Sequence, residues 1–305
     1  MQRRDFLRTG LVAAGGVAAG AGAAQALTTA GAQVESSAPA TLSLTEDGDL
    51  VVASTLTSSA PPTSAEVRRG IPGRRWVMVI DLAACDGCGK CSTTCAKNHF
   101  IPADREYIRV FKMQDSPETA KYFFPRPCFH CDNPPCTRVC PVGATFKRQD
   151  GIVLIDNERC IGCRFCMAAC PYSVRVFNWS RPDSTPAQLT KGYSPEWGYP
   201  RRVGTAEKCD FCADMAREGM LPHCVSTCSM EALWFGDENE DAVTSATGRT
   251  MRLSTMLRDR AGFRYMEELG TKPRVYYLPP DNRHSAAPGE PGAKTGTVKR
   301  GAEQK

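Results

Sequence analysis

Cys160-Ile-Gly-Cys163-Arg-Phe-Cys166-Met-Ala-Ala-Cys170-Pro171 sets four cysteines at successive gaps of two, two and three residues. The same gaps separate Cys85, Cys88, Cys91 and Cys95. Two looser groups share the pattern at their ends: Cys128, Cys131, Cys136 and Cys140, then Pro141; and Cys209, Cys212, Cys224 and Cys228. These four groups take all 16 cysteines of the 305-residue chain. A disulfide scaffold would spread its cysteines to staple distant loops, whereas crowding of this kind serves a shared centre. Working outward, Ile152-Val153-Leu154-Ile155-Asp156 leads into the third group as Val77-Met78-Val79-Ile80-Asp81 leads into the first. The two stretches align without a gap, Gly87 falling on Gly162, so the chain contains an internal repeat of an apolar strand feeding a cysteine loop.

Gaps of two, two and three followed by Pro are those of bacterial ferredoxins. Three cysteines in seven residues can wrap one face of an iron–sulfur cubane, with glycine allowing the tight loop. The fourth points away and serves the other cluster of a pair. Four groups make two pairs, and hence four 4Fe–4S clusters. Zinc can also take four cysteines, but a single tetrahedral ion gives no reason for three cysteines in seven residues, repeated, with Pro after the fourth. No C-x-x-C-H haem motif occurs. His130 and His223 lie inside cysteine groups, but no cysteine is missing for histidine to replace, so they are read as outer-sphere or surface residues. No phosphate loop, dinucleotide motif or Ser-His-Asp order is present, and no catalytic residue is assigned.

Cys140, Cys170 and Cys228 each run on into an apolar strand, and Gln149-Asp150-Gly151 closes a hairpin between Thr145 and Ile155. The expected fold is α+β: duplicated ferredoxin-like dicluster modules built from short hairpins and cysteine loops, over residues 74–278. Residues 27–73, rich in Ser, Thr, Ala and Pro, read as a flexible linker with a small hairpin about Thr45–Asp49. Residues 279–305 read as a disordered tail. Residues 181–206 read as an insertion whose Tyr193, Trp197 and Tyr199 suit either a solvated loop or a partner contact.

The chain starts Met-Gln-Arg3-Arg4-Asp-Phe6-Leu7, followed by a weakly apolar Ala/Gly run and Ala24-Gln25-Ala26. Residues 1–26 are therefore expected to be a twin-arginine signal peptide, cleaved or retained as an anchor, that exports a folded protein to the periplasm or the outer face of the cytoplasmic membrane. No later stretch has eighteen apolar residues, so no membrane span is expected after cleavage. The formal charge is +5. Sixteen thiolates and four 2+ cores remove eight charges and bring the loaded chain near −3, which gives no nucleic-acid signal.

With these motifs the chain resembles the four-cluster iron–sulfur subunits of the dimethyl sulfoxide reductase type. They include the B subunits of polysulfide and tetrathionate reductases and the iron–sulfur protein of formate-dependent nitrite reduction. The resemblance covers about residues 74–278. It rests on the four groups, Cys128-Phe-His-Cys131-Asp-Asn-Pro-Pro-Cys136, Ala169-Cys170-Pro171-Tyr172, Glu207-Lys208-Cys209-Asp210-Phe211-Cys212 and Glu268-Leu-Gly-Thr-Lys-Pro-Arg-Val-Tyr276. It implies pairing of the first group with the fourth and the second with the third. One cluster then takes Cys85, Cys88, Cys91 and Cys228, and a second Cys128, Cys131, Cys136 and Cys170. A third takes Cys160, Cys163, Cys166 and Cys140, and a fourth Cys209, Cys212, Cys224 and Cys95. Ala96 and Ser229 stand where a ferredoxin often has Pro, which leaves ligation untouched. The resemblance further implies an electron relay between a molybdopterin catalytic subunit and a membrane quinone-reactive subunit, serving anaerobic respiration and not an enzyme by itself. The alternatives are a relay in a quinone-linked complex without molybdenum and a free-standing exported carrier.

Overall fold

The computed structural model describes residues 40–44, 48, 50–54, 62–117, 119–180 and 192–280. The expected signal peptide, most of the linker, the first part of the insertion and nearly all of the tail lie outside these residues. In chain order the elements are β1 (Ala40–Leu44), β2 (Leu50–Ser54), α1 (Ser64–Arg69), β3 (Trp76–Asp81), α2 (Lys90–Asn98), β4 (Arg109–Met113), β5 (Tyr122–Arg126), α3 (Pro135–Arg138), β6 (Thr145–Lys147), β7 (Val153–Ile155) and α4 (Phe165–Ala168). They continue with β8 (Val176–Phe177), β9 (Ala206–Glu207), α5 (Ala213–Arg217), α6 (His223–Ser226), β10 (Leu233–Asp237), β11 (Ala242–Thr244), β12 (Thr250–Arg252), α7 (Leu253–Asp259), β13 (Phe263–Arg264) and β14 (Val275–Leu278). This is the α+β class expected, with four two-stranded ribbons around one six-stranded sheet.

The sheet has the order β12-β11-β10-β3-β14-β13, and its β3–β14 pair is parallel. Every residue of β3 is buried, which explains its unbroken apolar run: alternate side chains face opposite sides, and both sides are covered. Met78 and Ile80 join the larger core with Phe129, Phe211 and Tyr277. Val77 and Val79 pack with Trp234, Leu278 and the α7 residues Leu253 and Met256. The repeat seen in the sequence diverges here. The counterpart of β3 is the three-residue β7, which pairs with β6 across the Gln149–Gly151 turn as expected.

Residues 62–73 are not linker. Thr63 caps α1 in a reciprocal capping box with Glu66, and Val67 and Ile71 are buried. The Ile71 N–H donates to Asp150 at 3.0 Å. A Ser/Thr/Pro-rich composition concealed a short capped helix with one apolar anchor. The small hairpin expected in that stretch is present as β1 and β2.

Residues 192–206 turn inward. Tyr199 is buried edge-on to Phe100, and Tyr193 reaches the backbone of Asn157. Glu196, 1% exposed, joins Arg148 at 2.6 Å and Arg217 at 2.6 Å. Arg148, whose side chain is fully buried, also pairs with the equally buried Asp150 at 2.5 Å. One guanidinium thus ties the β6–β7 turn, the end of α1 and the inserted segment together. The C-terminal motif is explained in the same way. Backbone carbonyls of Thr271 and Lys272 accept from Asn133 and Asp132, the Thr271 hydroxyl meets Tyr172, and Arg274 pairs with Asp132 at 3.2 Å.

Candidate iron–sulfur centres

The cysteine loops share one backbone device. Two residues after the first cysteine of each group, the chain turns left-handed: Gly87 at φ +75°, His130 at +42°, Gly162 at +73° and Phe211 at +57°. That turn aims a backbone N–H at sulfur, and Gly87, His130 and Phe211 donate in this way to Cys85, Cys128 and Cys209. Glycine takes this conformation freely, while His130 and Phe211 take it at a cost of about 1–2 kcal/mol each. Their rings offset this by stacking on one another, centroids 3.8 Å apart. His130 is accordingly buried, its Nδ1 accepting from the Val153 N–H at 3.0 Å, and burial holds its pKa well below the usual range.

At Gly162 space is also closed, because a Cβ would run into the carbonyl oxygen of Gly204. Gly162→Ala is expected to cost roughly 2–5 kcal/mol. It should lower the iron content by one cluster's worth, read by metal analysis and thermal melting. Gly143→Ala, also left-handed at φ +61° but facing open space, is expected to keep its iron.

None of the sixteen cysteines is in a disulfide. Cys128, Cys131, Cys136 and Cys170 line one hollow, and Cys140, Cys160, Cys163 and Cys166 line another. Cys85 and Cys91 lie within electrostatic reach of each other, of Cys88 and of Cys228. Cys212 lies within reach of Cys95, Cys209 and Cys224. Each of these four cages draws on two groups. Neighbouring cages lie within electrostatic reach of one another: Cys91 acts on Cys95 and Cys224, Cys128 on Cys209, and Cys136 on Cys166. The cages therefore form a row, from the cage holding Cys85, through those holding Cys209 and Cys128, to that holding Cys160.

Burial pushes the thiols of Cys85, Cys91, Cys131 and Cys209 up, to about 11 at the first and about 12 at the other three. Four such sulfurs cannot share a hollow as bare thiolates. A cation-rich core that displaces their protons makes the arrangement favourable, which is the chemistry of an iron–sulfur cubane. The donor set fits that group.

Three polar residues at the cages escaped sequence reasoning. His99 Nε2 lies 3.2 Å from Cys212 Sγ, with its Nδ1 3.5 Å from Asp210. Arg175 lines the hollow of Cys128. Lys208 is buried, its Nζ on the carbonyls of Val153 and Cys209. Their only signal in the sequence was proximity to a cysteine group, and for His99 contact with Cys212 comes from 113 residues away. His223, beside Cys224, is partly exposed and edge-on to His99.

Two family models, both described as a 4Fe-4S dicluster domain, match residues 84–144 and residues 119–188 with 198–238. The B subunit of the selenate reductase of Mesobacillus selenatarsenatis is 42% identical over 221 residues, 67% of this chain and 72% of that protein. The B subunit of the tetrathionate reductase of Salmonella typhimurium is 37% identical, covering 71% and 77%. The menaquinone reductase iron–sulfur cluster-binding subunit of Nitratidesulfovibrio vulgaris is 37% identical, covering 67% and 88%. By its cysteine cages and by these relatives, the chain belongs to the 4Fe–4S electron-transfer subunits of the dimethyl sulfoxide, selenate and tetrathionate reductase type, which move electrons for an oxidoreductase complex and are not catalysts themselves.

Proposed function

We propose that the protein carries electrons along four 4Fe–4S clusters between a molybdopterin-containing catalytic subunit and a membrane quinone-reactive subunit. The row of four cysteine cages carries this reading. The ligand sets are Cys85, Cys88, Cys91 and Cys228; Cys95, Cys209, Cys212 and Cys224; Cys128, Cys131, Cys136 and Cys170; and Cys140, Cys160, Cys163 and Cys166. When bound, each cluster supplies a one-electron carrier. The protein holds the carriers in sequence, keeps water from them and sets their potentials through N–H donors and nearby charge. Anaerobically purified protein is expected to be brown and to contain about sixteen irons and sixteen sulfides per chain. Twelve of each would remove one cage from the relay, and stoichiometric zinc in a colourless protein would end the reading.

The catalytic partner is supported by relatives named as B subunits of reductases, and the molybdopterin by the family resemblance. A second reading, a relay in a quinone-linked complex without molybdenum, is favoured by the relative named as a menaquinone reductase subunit. Molybdenum analysis of the complex that co-purifies with the native chain separates the two.

We also propose export through the twin-arginine route to the periplasmic side of the membrane, supported by Arg3-Arg4 and the Ala24-Gln25-Ala26 site. Among the described residues no helix is long and apolar enough to cross a membrane. Changing Arg3 and Arg4 together to Lys is expected to leave the protein in the cytoplasm with its iron intact, as read by fractionation. Unchanged export would reject this leader.

A further inference from the structure

Arg175 is a buried cation without an anion of the usual kind. Its side chain sits on the chain leaving Cys170, just before β8, and the residue is 6% exposed. Among the described residues no carboxylate pairs with it. Nη1 donates to the Thr145 hydroxyl at 3.4 Å, and buried Nη2 has no nitrogen or oxygen partner. A guanidinium taken out of water needs a compensating negative charge, because its burial is otherwise prohibitive. The groups that supply one are sulfurs: Cys136 and Cys128 of one cage and Cys166 of the next. Arg175 also lines the hollow of the first of these cages, and Thr145, which accepts its Nη1 hydrogen bond, lines the hollow of the next.

We propose that Arg175 is a positioning residue shared by two neighbouring clusters, those of the cages holding Cys128 and Cys160, and that its fixed positive charge favours the reduced state of both. The inference rests on the four-cluster reading. A cluster with four thiolates carries net negative charge, and each added electron increases it. A nearby cation in a low-dielectric interior stabilises that extra charge, and one cation between two cages acts on both. The two clusters then behave as an electrostatically matched pair, distinct from the pair lined by Cys91 and Cys95. The electron moves between iron centres, and no bond in the protein forms or breaks.

The test is paramagnetic resonance during redox titration of full-length, anaerobically purified protein, comparing wild type with Arg175→Met, Arg175→Gln and Arg175→Lys. In the two neutral variants the equilibrium constant for reducing each of two clusters is expected to fall about tenfold, a shift of about 59 mV for one electron. The other two clusters should hold their potentials, and Arg175→Lys should keep most of the wild-type values. If Arg175→Met sheds iron, Arg175→Gln can still bond Thr145 and carries the same expectation. Loss of two clusters from both neutral variants, but not from Arg175→Lys, also supports a charge shared by the two cages. The proposal is overturned by unshifted potentials, by a shift at one cluster alone, or by equal iron loss in all three variants, which would make Arg175 a packing element. A wild-type count of twelve irons is a separate failure, since it removes the four-cluster reading itself.

Discussion

Cys170→Ser is expected to alter the cluster of the second cysteine group and leave that of its own group intact. Cys170 follows Cys166 by four residues, yet it lines the hollow of Cys128, Cys131 and Cys136, while Cys166 lines that of Cys140, Cys160 and Cys163. The two substitutions should therefore damage different clusters. Each removes one thiolate from one corner of a cubane, with a 3Fe–4S cluster or a Ser-ligated cubane of altered potential as the product. In Cys166→Ser the set of Cys128, Cys131, Cys136 and Cys170 is whole, and in Cys170→Ser that of Cys140, Cys160, Cys163 and Cys166 is whole. Paramagnetic spectra of the two variants against wild type decide the point. Should both perturb the same signal, ligands do not cross between groups and each run binds alone.

Arg148→Met should cost about 3–5 kcal/mol, the usual result of leaving a buried charge without its partner. Asp150, fully buried, would lose its counter-charge, although it would keep the N–H of Ile71 and Ile152. Glu196 would keep Arg217. For a domain of this size the expected fall in thermal midpoint is roughly 6–20 °C, followed anaerobically through the cluster absorbance. Arg217→Met removes a partner that is partly open to solvent and leaves Arg148 in place, so a much smaller fall is expected. Equal falls for the two variants would mean that Arg148 contributes bulk rather than charge.

The cysteine groups were legible because iron–sulfur ligation is written locally: the gaps between cysteines and the glycines at 87 and 162 are read directly from the chain. Strands were legible where both faces are covered, as in Val77–Ile80, or where a turn signal such as Gln149-Asp150-Gly151 stands between them. What composition hid was tertiary. Glycine marks the left-handed turn in two groups, but in the other two the same turn is held by the stack of His130 on Phe211, 81 positions apart and visible only in three dimensions. The stretch after residue 191 read as either a solvated loop or a partner contact because its burial depends on Glu196 meeting Arg148. Arg175 drew no reading from the sequence, since nothing in one sequence shows that a guanidinium lacks a carboxylate.

The last strand of the central sheet in chain order, β14, lies beside its first, β3. A ribosome must therefore release residue 278 before the central sheet can close. On the proposed ligation, the cages of Cys128 and Cys160 have all their sulfurs once residue 170 has been made, whereas the other two wait for Cys224 and Cys228. Maturation thus has a timetable written into the topology: inner pairings of short sequence separation come first, and the long-range closure comes last. A chain halted after Cys170 and before Cys209 would have two complete sets of sulfurs, a third lacking only Cys228, a fourth with Cys95 alone, and an open sheet edge.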